Sequence, residues 1–222
     1  SASTVNRYKS ALKKIFREAI DAEICTKSPK IKLNKPTRGR VRFYSKEEIS
    51  EIKDWLMDRK PWIWLYCVIS LNTGMRRGEI TKVSEATITP CGKYIHLATT
   101  KNGDSRDVYM NEEAKVAVYE LLKLNGNKFV HSTFYRIWDD MRDDFLRRGI
   151  IKDQKDYQSF VFHVFRHTCA TNLSSNLHVP IPTISEVLGH RSIATTMKYA
   201  HAKPDHVSDV MMSLGTYNNT TA

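Results

Sequence analysis

The sequence reads as a mainly α protein with one small antiparallel β-sheet. Three observations point that way. Apolar residues recur at three- and four-residue steps over most of the chain, as helices with one buried face require. A helix start is spelled out in Ser45-Lys-Glu-Glu48, where serine and glutamate can cap each other's backbone N–H groups. The pattern turns β over one stretch, Thr87 to Met110, around an Asn102-Gly103 pair suited to a hairpin turn. At 222 residues the chain can bury a core in one ordinary domain, or in one domain plus an appendage.

Taken in order, Thr4 to about Ile24 is predicted to be a helix capped by Ser3, with Val5, Tyr8, Leu12, Ile15, Phe16, Ala19 and Ile20 on its apolar stripe. Such a stripe needs a partner, either another helical domain or the face of the main one. Lys27 to Lys46 holds eight Lys/Arg, no acidic residue, two prolines and a glycine, and reads as an extended linker. Ser45 should open a helix to about Arg59, and Pro61 a very apolar, buried helix, Trp62 to Leu71, ending near Gly74. Three strands are expected at Thr87–Thr89, Lys93–Thr99 and Arg106–Met110. Five helices follow, at about Glu112–Leu124, Ser132–Arg148, Val164–Ser174, Pro182–Leu188 and Ile193–Ala200. Beyond them Val207, Val210, Met211 and Leu214 form a short apolar stripe, and the polar Asn218–Ala222 is expected to be disordered.

Charge narrows the partners. Thirty-five Lys+Arg against 24 Asp+Glu give a formal +11, which calls for a polyanion. Basicity alone does not separate nucleic acid from an anionic membrane. No apolar stretch approaches the ~20 residues of a membrane span and no signal-peptide pattern is visible, so nucleic acid is the expected partner. In the linker, Lys27, Lys30, Lys32, Lys35, Arg38, Arg40 and Arg42 are expected to lie along phosphates, the plainer alternative being a solvated linker. Cys25, Cys67, Cys91 and Cys169 form no CxxC pair and read as reduced thiols of a cytosolic protein.

Three patches carry chemistry: Thr73-Gly-Met-Arg-Arg-Gly-Glu79, His163-Val-Phe-Arg-His167 and Leu188-Gly-His190, with Tyr199 nine residues past His190. Arginine forks match phosphate oxygens, histidine moves protons near neutral pH, and tyrosine supplies an oxygen nucleophile. Arg76 follows Gly74 at a helix junction and can project into a cleft, whereas Arg77 points elsewhere. His163 and Arg166, spaced i, i+3, share a face; His167 is expected to face away with its ring hydrogen-bonded in the core. Each residue has a plainer reading: an ion pair for Arg76, a solvated tip for Lys101, an ordinary core or surface tyrosine for Tyr199. Arg106, on the return strand, can support Lys101 or touch a DNA backbone. No carboxylate cluster or HExxH pattern would hold a metal.

In order and spacing these patches, with Lys101 just before the hairpin turn, resemble the catalytic domain of the tyrosine recombinases, the phage-integrase family, from about Val41 to His201. The resemblance implies that family's catalytic-domain fold and site-specific cleavage and rejoining of double-stranded DNA through a 3′-phosphotyrosyl intermediate, without metal, ATP or another cofactor. It implies Tyr199 as nucleophile, Arg76 and Arg166 as phosphate clamps, His163 and His190 at the scissile phosphate, Lys101 as general acid and Glu79 as a supporting residue. It divides the chain into 1–26, a helix resembling the end of an N-terminal DNA-binding domain; 27–44, the linker; 45–203, the catalytic domain; and 204–222, a tail that can dock on a neighbouring protomer. It further implies a homo-oligomer on DNA, a tetramer in the synapse, at the nucleoid in the cytoplasm of a bacterial host. The alternatives are a type IB topoisomerase and a DNA-binding protein without catalysis. The compact spacing and the Leu-Gly-His patch favour the recombinase.

Overall fold

A computed structural model of the chain describes residues 2–34, 41–98, 105–124 and 131–200. The chain divides into two compact units, Ser1–Arg40 and Val41–Ala222.

The first unit is built on α1 (Ala2–Asp21). Ala2 and Ser3 are already helical, so the expected Ser3 cap lies inside the helix, and α1 stops just before Glu23, whose φ is +59°. The chain then folds back along α1. Asn6 Nδ2 donates to the Asn34 carbonyl and Asn34 N–H to Asn6 Oδ1, both at 2.8 Å. A side-chain amide carries the same donor and acceptor as a peptide, so Asn6 pairs with Asn34 much as a strand residue would. Lys9 Nζ adds a bond to the Lys32 carbonyl at 2.9 Å.

In the second unit, α2 (Lys46–Arg59) opens on the predicted box: Glu48 N–H donates to Ser45 Oγ at 3.2 Å and Ser45 N–H to Glu48 Oε2 at 2.9 Å. Pro61 starts α3 (Pro61–Thr73), which buries Ile63, Tyr66, Cys67 and Ile69 and packs against α2, α5 and α8. Gly74 ends it at φ +67°, and a Cβ there would lie 2.6 Å from Leu188 Cδ2. The short α4 (Arg77–Ile80) follows. β1 (Tyr94–Leu97) and β2 (Arg106–Tyr109) pair antiparallel, Tyr94 opposite Tyr109 and Leu97 opposite Arg106. The expected first strand is instead a 3-10 turn, Glu85–Thr87, because Thr87 Oγ1 closes a local ring with Ser84 N–H and C=O. Past it, Ile88 makes an isolated bridge to Ile95. The hairpin turn at Asn102-Gly103 falls outside the described residues.

Asn111 caps α5 (Glu112–Lys123), accepting from Ala114 N–H at 2.9 Å. Then come α6 (His131–Arg147) and α7 (Gln154–Ser159), a short helix absent from the expected elements, which Asp153 caps through Asp156 N–H at 2.7 Å. α8 (Val164–Thr171) runs into a wide π-type turn, Asn172–Asn176, before α9 (Ile181–Leu188). The expected helix Ile193–Ala200 is two 3-10 turns, Ile193–Thr195 and Met197–Tyr199. Ile193, Thr195 and Thr196 are β-branched, and buried Thr196 spends its hydroxyl on His190 Nδ1 at 2.7 Å. The core is aromatic: Tyr44, Phe134, Trp138, Phe145, Phe160, Phe162 and Phe165 are all buried. The apolar stripe beyond Ala200 lies outside the described residues. Among the described residues no helix is long and apolar enough to cross a membrane.

Candidate active site

Arg166 leaves the middle of α8 and is 2% exposed. Its Nη1 donates to the Gly74 carbonyl and its Nη2 to the Leu188 carbonyl, each at 2.5 Å. Both acceptors sit at helix C-termini, of α3 and α9, where carbonyls lack intrahelical partners and the dipole is negative. Gly74 and Gly189, at φ +67° and +62°, turn the chain away immediately afterwards. A buried cation thus ties together two helix ends and the helix between them. Burial first, then Arg76, pulls its pKa down to about 9, so it stays charged at neutral pH.

Arg76 stands at the start of α4, and Glu79, one turn on, accepts from its N–H at 2.9 Å and its Nη1 at 2.8 Å. Glu79 Oε2 also accepts from Arg106 Nη2 at 2.9 Å, while Arg106 Nη1 reaches the Val187 carbonyl at 2.7 Å. Burial would raise the Glu79 pKa; Arg106 and Arg76 outweigh it and hold the carboxyl below its ordinary range. Arg106 is therefore inside the cleft, braced between β2 and α9, rather than on an outer rim. An added Cβ at Gly189 would fall 2.6 Å from Arg106 Nε. Arg77, as expected, points elsewhere, with its guanidinium 4.4 Å from the Tyr135 ring centre.

Tyr199 is 3% exposed and packs with Ala170, Ile184 and Leu188. Ser174 Oγ donates to its carbonyl at 2.7 Å, and its hydroxyl is hydrogen-bonded to His167 Nδ1. This corrects the expectation that His167 faces away. His167 does not share a face with its neighbour Arg166, but it is i, i+4 from His163, and the two rings meet edge-on at 4.7 Å. His163 makes no side-chain hydrogen bond among the described residues and lines a pocket of about 360 Å³ with Arg77, Tyr135 and Arg142. His190 is held by Thr196, and Lys198 Nζ lies 5.0 Å from the Tyr199 ring centre. Neither His167 nor Lys198 was expected in the site. The i, i+4 spacing from His163 and the adjacency to Tyr199 were the available signals.

The field among these groups is positive: Arg76 and Arg106 flank Glu79, and Arg166 feels Arg76, Arg106 and Lys198 nearby. Burial, then Arg166, lowers His163 to about 4 although part of its ring faces solvent, and the same causes lower His190 to about 4. Burial, then Lys198, lowers His167 to about 3. Burial raises Tyr199 to about 12. Such a field favours an anion with several oxygens. Among the described residues no group of three or more His, Cys, Asp or Glu is spaced to hold a metal ion. A cavity of about 1130 Å³ between α2, α3 and α5 is lined by none of these groups.

The remaining expected DNA contacts divide. Arg42 is engaged within the fold: its guanidinium bonds Asp156 at 2.9 Å and Glu48 at 2.7 Å and covers the Phe160 ring at 4.8 Å. Lys27, Lys30 and Lys32 are exposed, and the last two join Lys13, Lys14 and Arg17 around a pocket of about 720 Å³ within the first unit. Lys35, Arg38, Arg40 and Lys101 fall outside the described residues.

The sequence and the fold also match known proteins. The model of the phage integrase family matches residues 42–206. The tyrosine recombinase XerA of Saccharolobus solfataricus is 31% identical over 131 residues, 59% of this chain and 43% of its own length. A shufflon-specific DNA recombinase of Escherichia coli is 24% identical, with 91% of this chain and 52% of that protein covered. The chain thus spans about half the length of these curated relatives. Among solved structures, the Tn1549 transposon integrase in complex with circular intermediate DNA superposes with a TM-score of 0.71 at 21% identity, covering 95% of this chain and 79% of that one.

Proposed function

This chain belongs to the phage integrase family, and we propose that it is a site-specific recombinase cleaving and rejoining double-stranded DNA through a phosphotyrosyl intermediate. The observation that carries the reading is the Tyr199 hydroxyl, buried beside His167 and next to Arg166, whose electrostatic neighbours among the described residues are Arg76, Arg106 and Lys198 against the acid Glu79. On this reading the scissile phosphate enters that field. Arg76 and Arg166 bind its non-bridging oxygens with N–H groups not committed to Glu79 or the two carbonyls. Donors fixed before substrate arrives are worth most where charge builds up, as on the pentacovalent phosphorus. Glu79 sets the spacing of Arg76 and Arg106. His163, open to its pocket, and His190, oriented by Thr196, supply hydrogen bonds to the phosphate. Tyr199 attacks phosphorus, the 5′ oxygen leaves with a proton from Lys101, and the 3′-phosphotyrosyl bond keeps the energy needed for rejoining.

DNA is the partner on this reading, met by the cleft and, separately, by the basic pocket of the first unit. α1 is then the end of a DNA-binding domain, the tail after residue 203 a protomer-docking segment, and the working form a homo-oligomer assembled on DNA at the nucleoid, a tetramer in the synapse. The solved relative held with circular intermediate DNA supports such a substrate. The test is covalent capture. A library of nicked duplexes with randomised centres is incubated with the chain, and DNA attached after denaturation is recovered. The expected adduct forms in EDTA and is absent for Tyr199→Phe. Arg76→Ala and Arg166→Ala should bind the captured DNA yet cleave it at least about a hundredfold more slowly, the loss seen when one oxyanion donor is removed. Equal cleavage by Tyr199→Phe would end the reading.

A further inference from the structure

We propose that His167 positions the Tyr199 hydroxyl and accepts its proton as that oxygen attacks phosphorus, an inference that rests on the strand-cleavage reading above. A tyrosine nucleophile must lose a proton, and among the described residues the side chain hydrogen-bonded to the phenol is His167, through Nδ1. Of the other basic groups, Arg166 is on two carbonyls, His190 on Thr196, Lys198 over the ring rather than at its oxygen, and His163, without a side-chain hydrogen bond among the described residues, packs edge-on against the His167 ring. Three local features hold the pair in place. α8 carries His167 one turn beyond His163, the 3-10 turn Met197–Tyr199 presents the phenol, and Ser174 fixes the Tyr199 backbone at 2.7 Å. Acceptance at Nδ1 requires the neutral ring with its proton on Nε2.

The step balances. The phenolic proton passes to His167 Nδ1 as the tyrosyl oxygen bonds to phosphorus; the bond from phosphorus to the 5′ oxygen breaks, and that oxygen takes one proton from the general acid. Without DNA the pair rests neutral, with burial holding the phenol at about 12 and burial plus Lys198, His163, Arg166 and His190 holding the imidazole at about 3. A phosphodiester seated among Arg166, Arg76 and Lys198 offsets their field. The charged imidazole then becomes less costly, so the base strengthens when the substrate is in place.

The experiment is single-turnover cleavage of a duplex captured as above, over pH 6 to 9, by the chain and its His167→Gln and His167→Ala variants. His167→Ala should bind DNA within about twofold but cleave roughly 10² to 10³ times more slowly, the usual size of a lost general base. Its rate should rise about tenfold per pH unit, as hydroxide takes over, and added imidazole should restore part of it. His167→Gln, an acceptor without basicity, should keep the pH dependence of the alanine variant. A folded variant cleaving at the parent rate, or slowed with the parent pH profile and no response to imidazole, would overturn the proposal. Nitrogen-15 spectra of the DNA-free chain give a second reading independent of activity and of whether His167→Ala folds. They should show His167 Nδ1 unprotonated and shifted by Tyr199→Phe; a protonated Nδ1 would overturn the proposal. If the parent chain captures no DNA through Tyr199, the cleavage reading itself fails.

Discussion

A guanidinium that is 2% exposed must find acceptors inside the protein, and Arg166 finds two at the ends of α3 and α9. Glu79 does the complementary work for Arg76 and Arg106, neutralising part of their mutual repulsion. Glu79→Gln keeps the shape and removes the charge. It should lower stability by about 3 kcal/mol, the lower end of the cost of breaking a buried pair, as read from urea unfolding, and slow cleavage more than it weakens DNA binding. The histidines make stability depend on pH. Their folded pKa values, about 4 for His163 and His190 and about 3 for His167, lie below the ordinary value near 6.5. Between those limits the unfolded chain binds more protons, so stability should fall as pH drops from about 6.5 toward 4. Melting temperature against pH should show that slope, and His167→Gln should flatten it. An unchanged slope would contradict the depressed pKa of His167. Arg76, Arg166 and Tyr199 were singled out in the sequence through the resemblance of their patches, and the fold brings Arg76 and Tyr199 within electrostatic reach of Arg166. The pairing of His167 with Tyr199 was not legible there, because it joins residues 32 positions apart through a turn that no local pattern encodes.

A helix start was readable at Ser45, whose capping box opens α2, and α5 begins at Glu112 as expected, with Asn111 as its cap. α7 escaped because six residues with no buried side chain leave no apolar period, only the Asp153 cap. The segment carrying Tyr199 read as a helix because its spacing allows one; the hydrogen bond from Thr196 to His190 and the β-branched run tighten it to 3-10 turns instead. The left-handed ends of α3 and α9 are equally specific. Gly74→Ala combines a strained φ with an approach of 2.6 Å to Leu188 Cδ2 and should cost about 1–3 kcal/mol in unfolding experiments. Gly189→Ala carries the same strained φ and also displaces the Arg106 side chain, so it should lower activity as well as stability. Unchanged activity would place Arg106 outside the working cleft.

Across the whole chain, the 35 Lys+Arg against 24 Asp+Glu include one cluster of cations in each unit. In the first unit Lys13, Lys14, Arg17, Lys30 and Lys32 gather at one pocket, and in the second Arg76, Arg106 and Lys198 gather about Arg166 beside Tyr199. Replacing Lys13, Lys14 and Arg17 by alanine should reduce the slope of log affinity against log salt by up to about 3, near 0.9 for each phosphate that is no longer neutralised. The cleavage rate of DNA already bound should not change. A rate that falls with affinity would mean the first unit takes part in the chemical step. The mainly helical architecture and the basic partner surface were legible from periodicity and composition, whereas the division of charge between two surfaces depends on long-range folding that composition does not record. The most direct measurement is to digest the captured protein–DNA adduct and identify by mass spectrometry which amino acid carries the nucleotide. The account predicts a 3′-phosphate ester on Tyr199, formed in EDTA; an adduct on any other residue, or none from the folded chain at saturating DNA, would contradict it.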